Sequence, residues 1–185
     1  MNKGFSLIEL LITIAVIAFL AFVALPLTAN WINGPDVTRT QTKFAQAYSV
    51  AKNIAIREGL AFSPTGATSA LCLKTDADGV RTISVRKQSK DVGDDNRQPA
   101  HCGDAIENDQ EIFTAELRPN VSIKYGAPGA QSDFVCACFT NKGAIAPTAT
   151  TTDCGAANNC LDPSVAQHNR FTFNKGDVNE TATLF

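Results

Sequence analysis

The sequence has few of the side chains that most enzymes use. It contains two histidines, His101 and His168, each in a polar segment. Neither lies in an HExxH pattern, and the sequence has no nucleophile elbow and no phosphate-binding glycine loop. We interpret both histidines as surface residues. The sequence therefore predicts a protein that is not an enzyme, with no metal site and no cofactor.

Strong charge and internal repeats are also lacking. The 185 residues include 16 basic and 18 acidic side chains, which gives a formal net charge of −2. This mildly acidic balance argues against broad electrostatic binding of nucleic acid. Asp76, Asp78 and Gly79 match part of a calcium loop, but the later ligands and the closing glutamate are absent. A turn is the better interpretation of that segment.

The sequence does have one long apolar run, from Phe5 to Leu27, with a single carboxylate, Glu9, near its start. A helix of this run would be about 35 Å long, enough to cross a bilayer core of roughly 30 Å. A carboxylate in such a helix is costly and usually marks a functional position with a partner. A cut between Gly4 and Phe5 would create an amino terminus one helical turn from Glu9. In a packed array, the amine of one subunit would neutralise the carboxylate of its neighbour.

The segment KGFSLIEL, residues 3–10, resembles the cleavage and methylation signal of type IV prepilins and type II secretion pseudopilins. The resemblance implies that prepilin peptidase cuts after Gly4, methylates Phe5 to N-methylphenylalanine and leaves the apolar helix attached. It implies a leader at residues 1–4, a transmembrane and filament-core helix at 5–33, and a globular head at 34–185. The implied location is the bacterial inner membrane with the head in the periplasm, and the extracellular pilus after assembly.

Two other interpretations of the apolar run remain open. In one, the run is an ordinary secretory signal peptide that is cut near Ala29, and in the other it is a simple anchor that is never cut. An acid inside the apolar core of a signal peptide has no purpose, so Glu9 favours the prepilin interpretation. All three interpretations predict an exported protein.

The cysteine content also indicates export to an oxidising compartment. An even number of cysteines in a chain of this size usually means disulfides, and six cysteines allow fifteen pairings. Proximity weakly favours the Cys72–Cys102 pair and bonds from the CAC segment to the last two cysteines. On a strand, the two cysteines of CAC would face the same side. The six candidates are Cys72, Cys102, Cys136, Cys138, Cys154 and Cys160.

A zinc site is the alternative for the last four of these cysteines. Structural zinc sites more often use C-x(2–4)-C spacing than C-x-C, and an exported setting favours oxidation. We therefore prefer disulfides, which would brace the Thr-, Ala- and Asn-rich loop at 146–167 and stabilise the fold by ~2 to 4 kcal/mol.

Two prolines are expected to disturb the helical part of the chain. Pro26 resembles a proline that many type IV pilins carry inside the apolar helix, where local loosening costs little. The Gly34-Pro35 pair predicts a break or kink, because proline removes a backbone donor and biases the preceding residue away from helix. An amphipathic helix is expected over 36–58, with Gly59 as its cap. Its buried stripe begins at Val37 and is predicted to contain Thr40, Phe44, Ala47, Tyr48, Ala51, Ile54 and Ala55.

Short strands are expected after this helix. Asp-Gly at 78–79 predicts a hairpin between strands at 69–74 and 80–86. Residues 88–108 are predicted to form an exposed loop. Further strands are expected at 111–117, 121–125, 134–140, 143–146, 170–173 and 181–185. A long N-terminal hydrophobic helix followed by an antiparallel sheet predicts an α+β fold, in which the helix packs on the sheet.

Three internal segments resemble the GspH/FimT/FimU group of minor pilins, namely residues 44–59, 117–123 and 170–176. This resemblance implies a low-abundance subunit that primes or caps a pilus used in adhesion and twitching motility, with other pilin subunits as partners. The Gly-Arg-x-Arg tail by which some FimT-like subunits bind DNA is missing, since 175–180 reads KGDVNE. DNA uptake is therefore expected at most as a supporting role. A type II secretion pseudopilin and a singly anchored exported binding module are the alternatives.

Overall fold

The structure is a computed structural model that describes residues 6–58, 67–90, 97–98, 100, 102, 111–146 and 160–185. Within residues 23–30, 89–90 and 97–98 and at residue 32 it describes the backbone alone. Helix α1 spans Leu7–Glu58. The strands follow as β1 Ser69–Thr75, β2 Arg81–Lys87, β3 Ser89–Lys90, β4 Arg97–Gln98, β5 Glu111–Glu116, β6 Ser122–Tyr125, β7 Ser132–Asp133, β8 Cys136–Phe139, β9 Arg170–Lys175 and β10 Val178–Thr183.

The strands form two four-stranded sheets and one short pair. The first sheet has the order β5-β2-β1-β8, the second has the order β10-β9-β6-β7, and β3 pairs with β4. All of these strand pairs are antiparallel. The α+β prediction is confirmed, with the β-structure divided between two sheets, both of which contact α1.

The second half of α1 supplies one side of the hydrophobic core. The predicted stripe is confirmed: Val37, Thr40, Phe44, Ala47, Tyr48, Ala51 and Ala55 are buried, and Ile54 is partly buried. These positions recur at steps of three and four, so they lie on one face of the helix. The ring of Phe44 meets Phe134, Phe171 and Phe173 at centroid distances of 4.9, 4.9 and 5.4 Å. Phe44 therefore joins the helix to the second sheet and to the segment between β7 and β8.

The predicted break at Gly34-Pro35 is absent. Helix α1 runs through both residues, so the amphipathic helix expected at 36–58 is the second part of one long helix. Proline in a helix interior removes one backbone donor and costs about 3 kcal/mol. Contacts between α1 and the head begin just after it, where Asp36 binds Lys175 and the Thr38 hydroxyl lies 2.9 Å from Glu180 Oε1. Whether the helix axis bends at Pro26 or Pro35 stays a prediction.

The first hairpin forms as the local sequence predicts. Strands β1 and β2 pair from Thr75 with Arg81 to Ser69 with Lys87. In the turn, the Asp76 carboxylate accepts hydrogen bonds from the N–H groups of Asp78 and Val80, at 3.1 and 2.7 Å. Gly79 has a φ of +79°, a conformation in which glycine meets no Cβ penalty.

Other strand predictions are only partly right. Residues 143–146 form a turn and one isolated bridge, from Ile145 to Phe139, instead of a strand. The expected exposed loop at 88–108 contains the β3–β4 pair, and Gln88 and Ala100 are buried in it. The last strand, β10, begins three residues earlier than expected. Gly59 and most of the loop at 146–167 lie outside the described residues.

Candidate assembly surface

The first part of α1 has an apolar surface that the rest of the described chain does not cover. Its large apolar side chains are at least 51% exposed. Because neighbouring positions in sequence are all exposed, this surface runs around the whole circumference of the helix. Its members are Leu7, Ile8, Leu10, Leu11, Ile12, Ile14, Val16, Ile17, Phe19, Leu20 and Phe22.

Glu9 is exposed and lies within this apolar surface, in the first turn of α1. Its N–H donates to the carbonyl of Ser6 at 3.0 Å. A helix N-terminus carries a partial positive charge, so a carboxylate is favourable in the first turn. Gly4 and Phe5, the predicted processing residues, lie outside the described residues. The pairing of Glu9 with the amine of Phe5 in a neighbouring subunit therefore stays a prediction.

Among the residues that the structure describes, no helical stretch is both long and apolar enough to cross a bilayer. The span predicted at 5–33 also includes Phe5 and residues 23–30, whose side chains are not described, and it stays a prediction.

An ionic cluster fixes α1 to the head just after the apolar part. Asp36 accepts a hydrogen bond from the Lys175 ammonium at 2.7 Å, and Arg118 Nε lies 3.4 Å from its other oxygen. The hydrogen bond from Lys175 lowers the pKa of Asp36, against partial burial that raises it, and Arg118 and Arg39 lower it further. The carboxylate is thus held in its charged form between the helix and two distant chain segments.

The turn between β9 and β10 packs against α1 near this cluster. Gly176 has a φ of +58°, and a Cβ at this position would lie 3.1 Å from Asn33 Nδ2. The helix predicted over 36–58 begins at Asp36, but the sequence does not indicate the partners of this carboxylate. Lys175 is 139 residues away along the chain, and no local pattern connects the two residues.

The described cysteines lie together in a small hydrophobic cluster, in which four are buried and Cys102 is partly buried. Cys72 pairs with Cys102, and Cys136 pairs with Cys160. The first bond agrees with the preferred pairing, and the second joins the CAC segment to one of the last two cysteines, as expected. Cys138 is also disulfide-bonded, and Cys154 lies outside the described residues. Because Cys136 and Cys160 are oxidised, they are not available as the thiolate ligands of the zinc alternative.

Comparison with known proteins agrees with this arrangement. The family model of the prokaryotic N-terminal methylation motif matches residues 1–25. This match precedes a helix that packs on antiparallel sheets. The N-terminal segment is similar to that of type IV pilin-like proteins. No curated protein and no solved structure matches it significantly.

The methylation motif indicates what the N-terminal residues do. The motif implies processing by prepilin peptidase, export, anchoring at the inner membrane and assembly with other pilin-like subunits. Proteins of this kind are typically structural subunits without enzymatic activity. Helix α1 has two parts of different character: an apolar part that the described head does not cover, and an amphipathic part that packs in the core of the head.

Proposed function

We propose that this protein is a minor type IV pilin, a low-abundance structural subunit that primes or caps the pilus. The observation that carries the proposal is Glu9 in the first turn of an uncovered apolar helix, within the methylation motif. In this role the protein is cut after Gly4, methylated at Phe5 and inserted at residues 5–33. The head at 34–185 contacts other pilin subunits. Adhesion and twitching motility are the processes it would serve, with DNA uptake at most secondary.

Assembly depends on charge compensation in this proposal. Within the packed apolar helices water is scarce, so an unpaired carboxylate would destabilise the array. The free amine of Phe5 in the adjacent subunit supplies the opposite charge. The head stays outside the helical array, and its disulfides support it during export.

The test replaces Glu9 by glutamine and by alanine in the native host. Glu9→Gln removes the charge and keeps the size, and we expect both variants to reach the membrane and be cut, yet to fail to enter filaments. Leu10→Ala, which trims an apolar neighbour, is the matched control and should assemble. Wild-type incorporation of both Glu9 variants would refute the proposed role of Glu9. Absence of the wild-type protein itself from filaments would favour a singly anchored binding module.

A minor pseudopilin of a type II secretion system is the alternative, and it uses the same N-terminal chemistry. Deleting the gene separates the two roles. A minor pilin predicts fewer or no pili with secretion unchanged, whereas a pseudopilin predicts retained exoproteins with pili unchanged. Intact mass of the N-terminal peptide checks the shared step, because it should begin at methylated Phe5.

A further inference from the structure

Trp31 is a large aromatic side chain that the head leaves uncovered. It is the only tryptophan in the chain and is 86% exposed on α1. Pro35 and Arg39, four and eight residues later, are also exposed, so Trp31 lies on the face of α1 that points away from the sheets. An isolated indole on such a face gains nothing from the hydrophobic core of the head.

Along α1, Trp31 lies between the exposed apolar surface and the ion pairs of Asp36. Phe22, 82% exposed, lies about 13 Å away at 1.5 Å per residue, on the apolar side. The ion pairs of Asp36 with Lys175 and Arg118 lie about 7 Å away on the other side. Indole has an apolar ring and one N–H donor, and it concentrates where hydrocarbon meets water at membrane surfaces.

We propose that Trp31 is an interfacial anchor, whose indole lies at the lipid headgroup level of the membrane before assembly. This inference rests on the proposed function, in which the helix is first held in a bilayer. Lipid is the occupant that the surface favours. Residues 6–22 are exposed on all sides of the helix, and lipid surrounds a helix, whereas a single protein partner covers one face.

The anchor also sets the depth of Glu9. Glu9 and Trp31 are separated along α1 by about 33 Å, which is close to the thickness of the hydrocarbon core, roughly 30 Å. With Trp31 at one interface, Glu9 reaches the opposite interface, where a charge costs far less than at the bilayer centre. A monomer can thus wait in the membrane with its carboxylate hydrated, before any neighbour supplies an amine.

The sole tryptophan gives a direct measurement. The full-length chain is placed in vesicles of phosphatidylethanolamine and phosphatidylglycerol that carry bromine atoms either near the headgroup or at the acyl chain end. We expect the Trp31 emission to shift to shorter wavelength, and headgroup-proximal bromines to quench it more strongly than chain-end bromines.

Matched variants in a Trp31→Phe background calibrate depth. Phe19→Trp should be quenched most by chain-end bromines, because residue 19 lies near the midpoint between Glu9 and Trp31. Ile8→Trp should show the headgroup-proximal pattern, as Trp31 does. Phe185→Trp, on an exposed residue of the head, should not be quenched.

The outcomes separate this inference from the proposed function. If Phe19→Trp is quenched but Trp31 emits at the wavelength of an indole in water, the helix is inserted and the inference is wrong. The exposed indole would then be available to a protein partner. Strongest quenching of Trp31 by chain-end bromines also overturns the inference, because the residue is then too deep. If neither residue is quenched, the chain is not inserted, and the membrane stage of the proposed function fails as well.

Discussion

Phe44 connects helix α1 to the aromatic core, and Phe44→Ala tests that connection. Its ring is fully buried and contacts the rings of Phe134, Phe171 and Phe173. Truncating a core phenylalanine to alanine costs about 3 to 5 kcal/mol. Each aromatic pair contributes about 0.5 to 1.5 kcal/mol beyond burial, and the terms are not additive. We therefore expect a loss at the upper end, about 4 to 5 kcal/mol, or about 8 to 20 °C in Tm.

The assay is urea unfolding of the full-length protein in detergent with its disulfides intact. Near-UV circular dichroism follows the packed aromatic rings. Phe185→Ala is the matched control, because Phe185 is 83% exposed and its truncation should change the unfolding free energy by less than about 0.5 kcal/mol. Phe44→Leu should fall between the two. Equal stabilities of Phe44→Ala and Phe185→Ala would refute the assignment of Phe44 to the centre of the core.

Two further predictions concern the contacts around the core. Asp36→Asn removes the carboxylate that Lys175 and Arg118 bind. The folded-state pKa of Asp36 lies below the ordinary value of 3.8. The ion pairs of this carboxylate should therefore stabilise the fold by about 1 kcal/mol at pH values above 3.8. This stabilisation is lost as the pH falls through the folded-state pKa. The difference in unfolding free energy between this variant and wild type, measured by urea unfolding, should therefore be largest near pH 7 and should shrink as the pH falls below 3.8. A difference that does not shrink would contradict an ionic origin. The double substitution Cys72→Ser/Cys102→Ser opens a 30-residue connection and should lower the unfolding free energy by about 3 to 4 kcal/mol. An unchanged urea midpoint, with the remaining bridges intact by mass spectrometry, would show that this bond is not a stabilising one.

Features with local causes could be predicted from the sequence. The hairpin at Asp76–Gly79 depends on a few adjacent residues, and the buried stripe around Phe44 depends on helical spacing alone. The N-terminal signal is likewise contiguous, so its residues could be identified without a fold. Cys72 and Cys102 were favoured as a pair because they are neighbours among the cysteines in sequence.

Features with distant causes could not be predicted. Helix α1 continues through Pro35, and the contacts that it makes just beyond this residue, such as that of Asp36 with Lys175, come from the far end of the chain. The division into two sheets depends on strand partners such as β6 and β9, which are far apart in sequence. Trp31 carried a signal that could have been used: it is the only tryptophan, and it lies just beyond the apolar run.

The unbroken course of α1 determines how a pulling force would travel through an assembled subunit. A pulling force applied at Leu7 would act first on the ion pairs of Asp36. It would act next on the aromatic core at Phe44, which lies about 12 Å farther along the helix. Farther along, the carbonyl of Ala51 accepts a hydrogen bond from Ser69 of β1, the strand that carries a disulfide. Noncovalent contacts would thus bear the load before any cross-linked strand does, and they can re-form when the tension is released.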